Sequence, residues 1–436
     1  METAETTLLY HGLPAVLVDG QWVVISSRFD QIASIQPELI HTQDTFSQLT
    51  AQGFFETAAE DSGLPEISLA TLITTSDCNL NCRYCFANSG ETQLYMSPQI
   101  AAAAIRRAFA NAQGRRVSIA FFGGEPSLTP QIIQDAVAYA RSLATGHPDI
   151  KGLEFSITTN GVMPQKFRDF LVRENFLVNL SADGAPEIQN RQRPGKHGAK
   201  SAPAVEHSIR AFVVAGLEMK IRATVTDISV GHMAEMVDWL HSLGASQLHF
   251  EPLSIAGRAA LLTRGERMTR PDVADFAANL KAAILRGSEL GVGVVNSSFM
   301  NLANPPREFC EGNPRHRFAI TYSGDVTTCV EVQDRCHPVS GEFMVGRYDP
   351  DSDEVIATKS RGRATSACQL VSIQARPDNP CANCFAQRIC GGGCPVRNYH
   401  ITGDSATVDP YRCQLVREMI PFAYGLLDQE SGNEDN

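Results

Sequence analysis

Between Cys85 and Cys310 the sequence has no cysteine. Its twelve cysteines fall into three at 78–85 and nine at 310–413, which predicts two metal-bearing regions around a cysteine-free middle. Long apolar runs are also missing. No stretch approaches a membrane span, and the N-terminus METAETTLLYHG has neither a charged n-region nor an apolar h-region. These absences predict a cytoplasmic protein with no membrane partner. In a reducing compartment, closely spaced cysteines point to metal or redox chemistry rather than disulfides. Basic residues are outnumbered, 37 Lys and Arg against 48 Asp and Glu, for a formal net charge of −11. That balance argues against nucleic acid as a partner, which needs basic patches. Nothing resembles a repeat or a coiled coil.

What is present is a chain of 436 residues, 43% hydrophobic and 19% charged, ordinary for a globular protein of two or three domains. Its middle alternates β-rich runs with helical patterns. The runs are 67–75, 117–124, 153–161, 176–184, 219–227 and 248–253; helical patterns include 97–112, 129–144 and 233–244. Six βα units predict an α/β fold, a partial (β/α)6 TIM-like barrel, with strands buried on both faces and chemistry at their C-terminal ends. The special residues gather at those ends: Cys78 after the first run, Gly123-Gly124-Glu125 after the second, Thr158 to Asn160 after the third, Ser181 and Asp183 after the fourth. Residues 1–65 read as a small α+β module, with a hairpin turning at Asp19-Gly20 and a short helix over 44–55. The barrel is expected over 66–300, a cysteine-rich domain over 301–425, and a polar, disordered tail over 426–436.

The stretch SDCNLNCRYCFA carries Cys78, Cys82 and Cys85. Three thiolates fit half of a zinc site with a distant fourth ligand, or an iron–sulfur cluster with one iron left open. Spacing alone does not separate them. The order of motifs does: Cys78-X3-Cys82-X2-Cys85 with Tyr84 before the last cysteine, then Gly123-Gly124-Glu125-Pro126 after the next strand, resembles the radical S-adenosylmethionine (SAM) superfamily over roughly 67–255. The resemblance implies a [4Fe-4S] cluster whose open iron binds SAM, reductive cleavage to a 5′-deoxyadenosyl radical, and hydrogen abstraction from a substrate. It makes Tyr84, Gly123, Gly124, Glu125 and Pro126 cofactor contacts, with Ser181 and Asp183 suited to ribose or carboxylate groups. Arg193, and Arg191 beside it, suit the methionyl carboxylate. Thr158, Asn160 and Thr224 are further strand-end candidates.

The C-terminal cysteines read Cys310-X13-Gly324-X4-Cys329, then Cys381-X2-Cys384-X5-Cys390-X3-Cys394, then Cys413. Four close cysteines alone fit a zinc knuckle. All seven in this order resemble the SPASM extension of radical SAM enzymes, which implies two auxiliary [4Fe-4S] clusters. By that resemblance Cys381, Cys384, Cys390 and Cys413 close one. Cys310, Cys329 and Cys394 bind the other, whose fourth ligand is Cys336, Cys368 or an open position. His316 and His400 read as structural.

SPASM enzymes modify peptides or proteins. The runs FLVNLSADGAPEIQNRQRP and LHFEPLS resemble the branch that matures ribosomally made peptides, which implies a carbon–carbon, thioether or ether crosslink in a precursor peptide. It also implies a leader, bound by a winged-helix-like N-terminal module through β-augmentation, and a flavodoxin or ferredoxin as electron donor. The alternatives are a sulfatase-maturase-like protein oxidase and a small-molecule radical dehydrogenase. Sulfatase maturases carry an aspartate directly after the cysteine of the G-X4-C element. Here Val330 follows Cys329 and Glu331 comes next, which makes Glu331 the candidate catalytic base.

Overall fold

A computed structural model describes residues 7–11, 13–26, 31–55, 67–261, 268–299, 317–357, 381 and 384–434. Cys310, His316 and Cys368 lie outside them.

The chain begins with an antiparallel meander, β1 (Thr7–Tyr10), β2 (Leu13–Val18), β3 (Gln21–Ile25) and β4 (Ile32–Ile35), paired in that order. The β2–β3 turn is Asp19-Gly20, with φ of 47° and 83°, the two-residue geometry that matches strand twist. Alternate side chains serve two cores. Trp22 and Val24 pack with Leu49 of the helix Gln43–Ala51, while Val23 and Ile25 pack with Val416, Ile420 and Tyr424. Among the described residues this module is mostly sheet with one helix, leaner in helix than a winged-helix likeness implies.

The second sheet holds the expected barrel. Its six strands are β5 (Ile67–Ile73), β6 (Arg116–Phe122), β7 (Leu153–Thr159), β8 (Leu177–Ser181), β9 (Met219–Val225) and β10 (Gln247–Pro252), all parallel and in chain order. A short β11 (Gly293–Val295) extends one edge. On the other, β12 (Arg317–Ile320) pairs parallel with β5 and leads into an antiparallel run of β13 (Asp325–Thr327), β14 (Met344–Asp349) and β15 (Glu354–Ala357). One sheet therefore crosses the expected boundary at 300, and the C-terminal region is built onto the barrel's first strand.

From β7 to β10 each strand has an apolar face and a polar face, where burial on both faces was expected. Ile119, Phe121, Ile157, Leu180, Ile221, Ala223 and Phe250 pack under the helices. Ser156, Thr158, Asn179, Ser181, Arg222, Thr224, His249 and Glu251 alternate with them and keep accessible surface. A closed barrel fills its centre with branched apolar side chains. Six strands stop short of closure, so the inner face stays open and polar.

The segment expected to be a tail is mostly helix, since the helix Pro410–Glu434 runs through it. Its polar composition is offset by anchoring: Leu427 packs against the N-terminal sheet, and Asp428 Oδ1 accepts a hydrogen bond from Ser34 Oγ at 2.6 Å.

Candidate active site

Residues 74–97 after β5 are largely irregular, so neighbouring segments must satisfy their backbone groups. The Gly-Gly-Glu run is one such neighbour. Gly124 N–H donates to Thr75 O and Glu125 N–H to Asp77 O, both at 2.8 Å. A Cβ on Gly123 would lie 2.5 Å from Thr75 O, and one on Gly124 2.1 Å from Asp77 O. The glycines thus let two backbones approach each other, the first at φ 143°. From the other side, Asn81 N–H donates to Pro194 O at 2.7 Å and Arg83 N–H to Gln192 O at 3.1 Å.

Arg258 closes the loop from the segment after β10. Its Nη1 donates to Asn81 Oδ1 and Cys82 O, both at 2.8 Å, and its Nη2 donates to Ser89 O. Sequence reasoning missed Arg258, because nothing local tells that residues 257–258 return to the cysteines. Gly257 beside it, at φ 53°, would set a Cβ 2.4 Å from Cys85 O.

Behind the loop lie two buried carboxylates. Glu125 Oε1 accepts from Ser127 N–H at 3.0 Å and Thr159 Oγ1 at 2.8 Å, and Oε2 accepts from Asn160 N–H at 2.7 Å. Burial raises its pKa, and these hydrogen bonds oppose that shift. Asp183 accepts from the Tyr84 hydroxyl, from Gln192 Nε2 at 2.7 Å and from Thr224 N–H at 3.0 Å, and pairs with Arg193 Nε at 3.0 Å. Arg193 also lies over the Tyr84 ring, 5.3 Å from its centroid. Both carboxylates are fully buried with their oxygens engaged by protein donors, and Glu125 still borders the cavity described next. Pro126 is likewise buried and opens a single 3-10 turn after Glu125.

In front of the loop is a cavity of about 360 Å³, within the range of small-molecule sites. Cys78, Cys82 and Cys85 line it, as do Tyr84, Gly123, Gly124, Glu125, Thr158, Asn160, Ser181, Arg193 and Thr224. Asp183 and Pro126 do not. The lining also takes in Arg222, Glu251, Val330, Glu331 and Arg397, from β9, β10 and the C-terminal region. Sequence reasoning missed Arg222, Glu251 and Arg397. The alternation in MKIRATV and LHFEPL does mark Arg222 and Glu251 as facing away from the helices.

Burial, the Glu125 carboxylate and the neighbouring thiols push Cys78 up to about 12. Burial dominates at Cys82 too, pushing it up to about 11. Such thiols ionise when a cation takes them as ligands. Donors already face the sulfurs: Asn160 Nδ2 lies 3.8 Å from Cys78 Sγ and Ser89 N–H 3.4 Å from Cys85 Sγ.

The C-terminal thiols form two groups. Cys381, Cys384, Cys390 and Cys413 are electrostatic neighbours, with burial and mutual repulsion pushing Cys381 up to about 12 and Cys413 to about 11. Cys329 and Cys394 pack in a separate apolar cluster with Val332 and Val396. Cys336 is exposed. The His400 ring lies 5.4 Å from that of His337, and burial lowers both pKa values.

A family model described as the Radical SAM superfamily matches residues 72–240, the stretch from the end of β5 to the helix before β10. The chain carries a radical SAM domain. A serine-type anaerobic sulfatase-maturating enzyme of Klebsiella aerogenes is 25% identical over 330 residues, 73% of this chain and 77% of that one. The structure of native anSMEcpe with bound AdoMet and Cp18Cys peptide is 23% identical at a TM-score of 0.66, covering 85% of this chain and 100% of that one. Streptococcus suis SuiB bound to precursor peptide SuiA is 14% identical at a TM-score of 0.53, covering 94% and 100%.

The radical SAM domain makes this protein an enzyme of radical chemistry and implies SAM and a [4Fe-4S] cluster. The residues fit that group. Among the described residues no three His, Cys, Asp or Glu side chains converge on a point that a single metal ion would occupy. The loop thiols border a cavity, and Asn160 Nδ2 and Ser89 N–H face two of their sulfurs. No described helix is long and apolar enough to cross a membrane.

Proposed function

We propose that the enzyme oxidises a residue of a peptide held in this cavity, as the first step of a crosslink within that peptide. One observation carries the reading: a single cavity is lined both by the cysteine loop and by Glu331, two residues after Cys329. Cys78, Cys82 and Cys85 would hold the [4Fe-4S] cluster. Tyr84, Gly123, Gly124, Thr158, Asn160, Ser181, Arg193 and Thr224 would surround SAM, with Glu125 and Asp183 fixing them from behind. When bound, cluster and SAM together supply a 5′-deoxyadenosyl radical, which removes a hydrogen atom from the substrate.

The chain's own part in the oxidation is to take the proton. Glu331 Oε1 is engaged by Arg397 Nη2 at 3.4 Å, while Oε2 is buried without a hydrogen-bond partner. That oxygen is the candidate base. Cys381, Cys384, Cys390 and Cys413 would close one auxiliary [4Fe-4S] cluster, and Cys310, Cys329 and Cys394 would bind another; both supply electron sinks. The low-potential donor would be a flavodoxin or a ferredoxin. The N-terminal sheet has outer strands β1 and β4, each paired on one side among the described residues, which suits a leader peptide added as a strand.

The sulfatase-maturating relatives favour a second reading, oxidation of one protein side chain without a crosslink. Fragmentation of the product separates the two, because a crosslink suppresses backbone fragments between the joined residues. Glu331→Gln is expected to keep SAM cleavage and to lower peptide product by roughly 10²–10⁴. An unchanged product rate would remove Glu331 from the chemistry.

A further inference from the structure

The part of the cavity lining drawn from β9, β10 and the C-terminal region is charged, and most of its charges are paired. Glu251 Oε1 accepts from His249 Nε2 at 2.8 Å and Ser297 N–H at 3.0 Å. Its Oε2 accepts from Arg397 Nη1 at 3.0 Å, and Arg397 in turn reaches Glu331. Arg222 is the exception. It lines the cavity and retains accessible surface, but it has no side-chain hydrogen bond or ion pair with a described residue. Burial and Arg397 lower its pKa, while Glu251 and Glu331 act from a distance.

Arg222 is held by its strand. On β9 it registers with Ser181 of β8 and His249 of β10, and its neighbours Ile221 and Ala223 are buried under the helices. The strand thus confines the reach of its guanidinium to this part of the cavity. Its planar fork, still open to the cavity, matches a carboxylate in two parallel hydrogen bonds. Of the acids nearby, Glu251 is engaged on both oxygens and Glu331 through Oε1 to Arg397.

We propose that Arg222 anchors a carboxylate of the peptide substrate, an Asp or Glu side chain near the residue that is oxidised. The inference rests on the peptide reading above. The methionyl end of SAM offers the same chemistry, but Arg193 already stands beside Cys82 at the cysteine-loop wall. Arg222 instead has Glu251, Glu331 and Arg397 as its charged neighbours. Arg222 thus sets which peptides fit, and the paired charges beside it keep that part of the lining in place.

The test pans an mRNA-displayed library of random decapeptides on the full chain, anaerobically reconstituted and loaded with SAM. Arg222→Gln and Arg222→Lys are run alongside, with iron content matched to wild type to show an intact fold, and SAM affinity is measured on all three by equilibrium dialysis. Wild type should enrich Asp or Glu over Asn or Gln at one position by about 10-fold or more. Arg222→Gln should lose that preference, Arg222→Lys should keep part of it, and SAM affinity should stay within about twofold. Peptides enriched without an acidic preference would overturn the subsite and leave the peptide reading standing. A SAM affinity about 10-fold weaker in Arg222→Gln would hand the guanidinium to the cofactor and overturn the proposal. No peptide captured by any of the three would sink the peptide reading and the subsite with it.

Discussion

The two cysteine regions differ in what holds them and what they face. The loop at 78–85 has almost no structure of its own. It hangs from the backbone of the Gly-Gly-Glu run, from residues 192–194 and from the Arg258 side chain. It borders the cavity that Glu251, Glu331 and Arg397 also line. The group at 381–413 sits between secondary elements and is backed by apolar packing, with Cys390 in one core beside Val23, Ile420 and Tyr424. Three thiols at an open wall leave room for a ligand, whereas four gathered thiols close their site. The contrast teaches that sites of similar composition diverge in role through their supports: rigid hydrogen bonding keeps one open, and packing seals the other.

The largest blow to this contrast short of removing cysteines is Gly124→Ala. The new Cβ meets the Asp77 carbonyl, a backbone atom that cannot swing away. We expect a cost of about 2–3 kcal/mol, typical of forcing an extra carbon into tight packing, together with loss of iron from the loop site and retention of C-terminal iron. Thermal unfolding and iron analysis read both. Wild-type melting with full loading would break the claim that the rim sets the loop.

A smaller effect comes from the link between the regions, the ion pair of Glu251 on β10 with Arg397 on the helix Pro395–Thr402. Burial alone raises the Glu251 pKa, but the hydrogen bond from His249 and the charges of Arg397 and Arg412 outweigh it and hold it well below the ordinary carboxylate range. A depressed folded-state pKa stabilises the fold above the unfolded value of about 4.5. That contribution disappears as pH falls below 4.5 toward the folded value. Denaturant midpoints should therefore drop with acidification below pH 4.5, and Glu251→Gln should flatten part of the drop. Parallel curves for the two proteins would mean that the link adds nothing to stability.

How far the sequence reaches follows from the range of its signals. The six barrel strands and their helices are legible because apolar periodicity is local, and the Asp19-Gly20 turn because two positive φ values demand such residues. The cysteine spacings and the Gly-Gly-Glu run are legible for the same reason. The motifs that carry Glu125 and Asp183 name them as ligand contacts but do not say what surrounds them. Their burial depends on Thr159, Asn160, Tyr84 and Gln192 arriving from other segments. Arg258 and Arg397 had no local signal at all, since their positions depend on chain returns more than 100 residues away from what they touch. The sheet beyond β12 was missed because β12 spans only four residues and finds its partner in β5.

The most direct test of the account is iron and sulfide content after anaerobic reconstitution, on wild type and on the variant Cys78→Ala/Cys82→Ala/Cys85→Ala. The account predicts about twelve irons per chain, falling to about eight in the variant while the C-terminal sites stay loaded. About four irons, all lost in the variant, would contradict it, leaving the C-terminal thiols without clusters and the oxidation without its electron sinks.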